Sequence, residues 1–265
     1  MHSIHELSRR ELRLTELMVM AVNECRSHWR TLGKLVLYLG FPIEIVLQLG
    51  LSYLQNLMLQ VDMDTVMQST QNMIRFAQSS QWQAILAVFF GIMILNVILT
   101  PLLIMAVAAS TASCLKGVPI RAFSAIKQSF ARGFVVVPAV IVYILCVGIG
   151  LVFFVVPGLY LAIVFFFFEY AVILEEKGVF GSLKRSMFLV KGFFWKTALA
   201  AVCLFLMRYA ASYVLNVVAS LLGGSYLAGV LVGVCAMAVE SYFVVVMTLY
   251  YLNRLAIKEE GLATR

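Results

Sequence analysis

The chain has 265 residues, 63% of them hydrophobic and only 12% charged, with a mean hydropathy of +0.98 and a formal net charge of +7. Soluble domains run nearer half apolar and a quarter charged, so these values exclude a soluble globular protein and point to a polytopic membrane protein. The basic balance of such a chain reflects its cytoplasmic loops, and no nucleic-acid partner is expected from it.

Residues 4–31 predict an amphipathic helix. Ile4, Leu7, Leu14, Met18, Val22, Cys25 and Trp29 recur at spacings of three, four and seven, flanked by Arg9, Arg10, Arg13, Arg26 and Arg30. Such a stripe suits a helix lying in the headgroup region, and also one docked on the loops of its own protein. No short apolar core with a cleavage site follows the first arginines, so no signal peptide is expected. The first span is predicted at about 34–58 and the second at about 83–112. Between them lies a Gln/Met-rich segment with Asp62, Asp64 and Arg75. There Asp64 is expected to cap a short helix carrying Val66, Thr70, Met73 and Ala77.

A second amphipathic stretch covers 117–132. Pro119 suits a first helical turn. Ile120, Phe123, Ile126 and Phe130 form an apolar face, with Arg121, Lys127 and Arg132 as its charges. The third span follows at about 133–155, a turn at Pro157-Gly158, and the fourth span at about 158–174. Glu175, Glu176, Lys177 and Gly178 then leave the apolar phase. A third short helix, about 179–191, places Phe180, Leu183, Met187 and Val190 on one face, with Lys184, Arg185 and Lys191 on or beside the other. The fifth span is predicted at about 194–221 and the sixth at about 226–252, joined by a tight turn at Leu221-Leu222-Gly223-Gly224-Ser225.

Eighteen of the twenty Lys and Arg residues fall in segments on one side of these six spans; Arg75 falls on the other and Arg208 inside a span. The positive-inside rule then puts both termini in the cytoplasm. An internal repeat supports the same arrangement. Ala125-Ile126-Lys127-Gln128-Ser129-Phe130 matches Ser182-Leu183-Lys184-Arg185-Ser186-Met187, and each is preceded by Lys-Gly-Val, at 116–118 and 177–179. Ala21 to Lys34 fits the same slot more loosely. The expected fold is all-α, with six transmembrane helices as three parallel hairpin repeats, each preceded by an amphipathic cytoplasmic elbow helix. The chain divides into 1–33 (amphipathic helix), 34–115 (hairpin with a polar outer loop), 116–176 and 177–253 (an elbow and a hairpin each) and 254–265 (a short tail). Parallel repeats count mildly against a secondary transporter, because many of those use inverted repeats.

Val156-Pro157-Gly158, the following apolar span, Glu175 to Phe180 and Ser182 to Lys191 resemble the signature of YciC-like bacterial inner-membrane proteins. They also resemble the membrane domain attached to some glycerophosphodiester phosphodiesterases. The likeness is plainest over about 150–197. It implies a six-span protein of the bacterial inner membrane, in a group tied loosely to envelope maintenance, with membrane lipids and other envelope membrane proteins as partners. The phosphodiesterase's catalytic domain is absent: there is no His-Arg pair, and the histidines are His2, His5 and His28. Glu169-Tyr170 inside the fourth span departs from the uncharged residues expected there.

Four charged residues fall within spans: Glu44, Glu169, Arg208 and Glu240. Intramembrane charges usually face the bundle interior or water. Arg208 lies about 15 residues before the predicted turn and Glu240 about 16 after it, so at about 1.5 Å per residue they reach matching depth and are expected to pair. Glu44, Gln48, Ser52 and Gln55 form a polar stripe on one span. Arg208, Ser212, Asn216 and Ser220 form another, and Asn96 and Thr100 a shorter one. These residues either hold the bundle together by bonds across helices or line a hydrated cavity open to the outside, fit for a lipid headgroup, a cation or a small polar solute. Gly229 with Gly233, and the small residues of Ala106 to Ser113, read as close-packing faces. Phe165 to Phe168 read as lipid-facing or packing residues. Cys25, Cys114, Cys146, Cys203 and Cys235 show no metal or disulfide spacing. With no HExxH, nucleophile elbow or phosphate-binding loop, no enzyme, metal or cofactor is expected.

Overall fold

Apolar runs of this length give a backbone no partner but itself once water is excluded, which leaves the helix as the structure they adopt. The computed structural model describes residues 11–221 and 226–263, and every described element is helical. Six helices are long and apolar enough to cross a membrane: Trp29–Leu59, Ser80–Leu115, Ala122–Phe153, Val155–Leu174, Phe194–Val218 and Gly229–Glu259. In chain order the elements are α1 (Leu14–Ser27), α2 (Trp29–Leu35), α3 (Phe41–Leu59), α4 (Met63–Met67), α5 (Thr70–Ala77), α6 (Ser80–Leu115), α7 (Ala122–Phe153), α8 (Val155–Val164), α9 (Phe168–Leu174), α10 (Val179–Val190), α11 (Phe194–Leu221) and α12 (Tyr226–Ala263). A π-helical turn, Val36–Gly40, joins α2 to α3. Pro42 follows it and has no N–H for the Tyr38 carbonyl, which is what loosens the helix there.

The core lies at the end of the bundle where the basic segments gather. From Pro101 to Ala112, α6 is buried at nearly every position, and Ala106, Ala108, Ala109, Ser110 and Ala112 let α2, α9 and α12 approach its backbone closely. The other half of α6 exposes Phe89, Phe90, Met93 and Ile94. The helices therefore converge at the basic end and splay towards the glutamine-rich segment.

Several expectations are corrected. The N-terminal helix breaks at His28, and Ile4, Leu7, Arg9 and Arg10 lie outside the described residues. The buried face of α1 centres on Leu17 and Ala21, with Val22 and Trp29 exposed. It docks along α12, where the Tyr242 hydroxyl donates to the Met18 carbonyl at 3.2 Å. In the polar segment Asp62, not Asp64, caps α4, its carboxylate accepting from Thr65 N–H, and Ser69 caps a separate α5 by accepting from Asn72 N–H. The predicted turn at Leu222 to Ser225 lies outside the described residues.

The second elbow is not a separate helix: α7 runs unbroken from Ala122 to Phe153, and Pro119 precedes it. Its buried face is Ala122, Ala125 and Ser129, while Phe123 is 75% exposed. The third elbow, α10, repeats this inversion, burying Ser182, Leu183, Ser186, Leu189 and Val190 and leaving Phe180 68% exposed. Small residues face inward because helix backbones pack closest there; of the faces read from the sequence, Leu183 and Val190 are buried and Ile120 and Ile126 pack on the core, whereas Phe123, Phe130, Phe180 and Met187 point away. The matched hexapeptides thus share burial as well as sequence: Ser129 and Ser186 are fully buried, Lys127 and Lys184 exposed. The Lys-Gly-Val copies do not share backbone. Gly117 is left-handed at φ 76°, whereas Glu176 takes the left-handed turn (φ 55°) ahead of Gly178.

The fourth apolar helix is broken at Phe165–Phe167. Ser186 of α10 repairs the gap: its hydroxyl accepts from Phe167 N–H (3.0 Å) and donates to the Val164 carbonyl (2.7 Å). The phenylalanines pack: Phe167 contacts Tyr170, Tyr250 and Tyr251, and Phe168 stacks on Tyr143 with ring centroids 5.2 Å apart. This helix also departs from a simple hairpin order. Tyr160 stacks on Phe194 at the start of α11, and Glu169 lines the same cavity as Arg208 further along it. Beyond the break, α9 passes from the level of Glu240 at Glu169 to that of Tyr251 at Glu175, in the sense of α12 and antiparallel to α11.

Candidate functional site

The polar stripes converge where the helices splay. A chamber of about 360 Å³ is lined by Glu44 and Gln48 of α3, Asn96 and Thr100 of α6, Ser212 and Asn216 of α11, and Gly229, Gly233 and Glu240 of α12. Ser52, Gln55 and Ser220 do not line it. The helices α3, α6 and α11 each bring a polar pair to the chamber through a spacing of four, about one helical turn, and α12 brings Glu240. Gly233 makes room: a Cβ there would overlap the Glu44 carboxylate, and Gly229 faces Gln48. The two glycines thus seat polar side chains rather than a neighbouring backbone.

The bonding pattern within the chamber is local. Gln48 donates to the Glu44 carboxylate (2.8 Å), Thr100 to Asn96 Oδ1 (3.1 Å) and Asn216 to the Ser212 carbonyl (2.8 Å), all within their own helices. Among the described residues the one bond across helices is the expected Arg208–Glu240 pair, Nη1 to Oε1 at 2.8 Å. Glu240 is mostly covered, and Arg208 is 51% exposed on the flank of α11. Glu44 has no cationic partner among the described residues.

Glu240 also lines a second cavity of about 230 Å³, with Glu169, Tyr170, Phe166 and Arg208. The four intramembrane charges therefore do not form one cluster. Glu44 faces the chamber, Glu169 faces the second cavity, and the Arg208–Glu240 pair stands between them.

The basic elbow residues divide in the same way. Arg185 bridges Glu175 (Nε–Oε2, 2.8 Å) and Glu259 (Nη2–Oε1, 2.8 Å), and Tyr251 donates to the same Glu175 carboxylate. Arg132 pairs with Glu176. Arg121, Lys127, Lys184 and Lys191 are exposed and make no ion pair among the described residues. Sequence reasoning missed the seating role of Gly233 and the burial of Arg254, which reads from the sequence as a tail charge. A glycine one turn from Gly229 and facing Glu44 was the available signal for the first. No local pattern marks the second.

Six long apolar helices enclosing amide and carboxylate side chains define a multi-pass integral membrane protein with an intramembrane polar chamber. No protein-family model, curated protein or solved structure matches the chain.

Proposed function

We propose that this is a non-enzymatic protein of the bacterial inner membrane, with both termini cytoplasmic, that serves envelope or lipid homeostasis by holding the polar part of a lipid in the chamber. One observation carries the reading. Side chains that serve as structural glue bond across helices, yet here Glu44, Gln48, Asn96, Thr100, Ser212 and Asn216 face a common space and, among the described residues, bond only within their own helices. Groups arranged this way are left to bind something between them. The Glu44 carboxylate, which has no cationic partner among the described residues, favours a cationic or hydrogen-bond-donating group, such as an amine headgroup. Access comes past α11, which packs mainly on α12 and leaves Asn216 and Arg208 exposed.

A second reading, a small-solute or lipid transporter, is favoured by the two cavities that meet at Glu240. In that reading the Arg208–Glu240 pair is the gate between them. The charge swap Arg208→Glu with Glu240→Arg tests both against a purely structural role, scored by envelope-stress sensitivity in a deletion strain. A swapped protein that inserts and folds but fails to complement supports ligand handling. Full complementation reduces the pair to structural support.

A further inference from the structure

At the basic end, well away from the chamber, lies another cavity of about 420 Å³. It sits between the segment preceding α1, the first turns of α11 and the far part of α12. Fourteen residues, or about 21 Å along the helix, separate its Arg254 from Glu240. One side is apolar, formed by Leu12, Leu14, Leu199 and Cys203; the other carries Arg13, Lys196 and Arg254.

Arg254 is unusual. Only 2% of its side chain is exposed, and its guanidinium lies 4.2 Å from the Phe193 ring centroid and 4.9 Å from that of Tyr250. Nη2 donates to Glu11 Oε1 (2.8 Å) and to the Tyr250 hydroxyl (3.0 Å), but Nε and Nη1, both buried, have no hydrogen-bond partner among the described residues. Lys196 Nζ reaches the other oxygen of the same carboxylate, Glu11 Oε2, at 2.7 Å. One carboxylate thus serves a buried guanidinium and an ammonium, and the guanidinium keeps idle donors. Burial alone would raise the Glu11 carboxyl, but the bonds from Lys196 and Arg254 hold it below the ordinary carboxylate range, so it stays an anion.

We infer that this cavity is a phosphate-binding site in which Glu11 stands in for the ligand. Arginine suits the role because its planar fork presents several N–H groups to a tetrahedral oxyanion at once. The incoming phosphate replaces the Glu11 carboxylate on Arg254 Nη2 and Lys196 Nζ. The apolar wall running from Leu199 to Cys203 receives an acyl chain, so the ligand class is an anionic phospholipid; a free phosphate shares the headgroup chemistry without using that wall.

The test is thermal unfolding of the full-length protein in a neutral maltoside micelle, since a ligand that binds the folded state raises the transition in a saturable way. Three probes are titrated: a short-chain phosphatidylglycerol, the matching phosphatidylcholine, and inorganic phosphate. Phosphatidylglycerol is expected to act at least tenfold more tightly than phosphatidylcholine. Glu11→Gln removes the internal competitor and is expected to tighten binding about threefold or more; Arg254→Gln is expected to weaken it at least tenfold. If Arg254→Gln does not fold, Lys196→Gln, mostly exposed, carries the test with a several-fold loss. Saturation by inorganic phosphate at the same concentration supports the site and names a free phosphate as its source. Equal effects of both lipids, or isotherms unchanged by Glu11→Gln and Lys196→Gln, would overturn the inference.

Discussion

Replacing Glu240 by glutamine separates a hydrated chamber from a dry one. The carboxylate lies 2.8 Å from Arg208 Nη1. Two unit charges at that distance attract by about 1.5 kcal/mol in water-like surroundings, and the entropy of fixing two side chains reduces the net value to about 1 kcal/mol or less. In dry hydrocarbon the consequences are larger. An arginine left alone near the membrane centre costs about 3 kcal/mol on insertion scales, and breaking a buried pair costs about 3–5 kcal/mol. With Arg208 half exposed beside the chamber, Glu240→Gln is expected to lower the unfolding free energy by about 1 kcal/mol, roughly fivefold in the equilibrium constant. Reversible unfolding in mixed micelles measures this for Glu240→Gln, Arg208→Gln and the double variant. A coupling energy of about 1 kcal/mol or less fits the hydrated chamber. A coupling of about 3 kcal/mol or more, over a hundredfold, would refute it.

Ser186→Ala leaves Phe167 N–H and the Val164 carbonyl unpaired inside the protein, so thermal unfolding should show a loss of about 2 kcal/mol or more. Ser129→Ala, whose hydroxyl bonds only the Ala125 carbonyl of its own helix, should lose less than about 1 kcal/mol. Because Glu11 is held below its ordinary value by Lys196 and Arg254, its contribution to stability is complete above about pH 5 and is lost as the pH falls through the folded-state value. Acid unfolding should therefore steepen below about pH 5 in the native protein, while Glu11→Gln removes that dependence. Gly233→Ala forces the Glu44 side chain out of its seat and should abolish chamber function in the complementation assay. Gly91→Ala, which meets nothing within 4 Å, should be neutral or stabilising by up to about 1 kcal/mol.

The spans and the Arg208–Glu240 contact were legible because both rest on periodicity and length: apolar runs fix which segments cross, and rise per residue fixes depth. The convergence of Glu44, Gln48, Asn96, Thr100, Ser212 and Asn216 was legible as stripes, since a spacing of four assigns a face. Which face packs inward was not. Phe123, Phe130, Phe180 and Met187 outweigh Ala125, Ser129, Ser182 and Ser186 in any hydrophobicity count, but in a membrane protein the bulky side chains have lipid to face and the small ones bring backbones together. The break at Phe165–Phe167 was hidden for a related reason: its repair comes from Ser186, about twenty residues on, and no local signal in a run of phenylalanines reports a hydroxyl that distant. Arg254 was read as a tail charge because its partners, Glu11 and Phe193, lie 243 and 61 residues away in sequence.

Cysteine accessibility tests the hydrated chamber most directly. Single cysteines replace Gln48, Asn216 and Glu44 in a background lacking the five native cysteines, and intact cells are treated with a membrane-impermeant maleimide. A cysteine at Gln71 in the glutamine-rich segment serves as the positive control. Labelling at all three positions, down to Glu44, is the predicted result. A reactive Gln71 cysteine with all three chamber positions silent would contradict it, and would return these side chains to holding the bundle together.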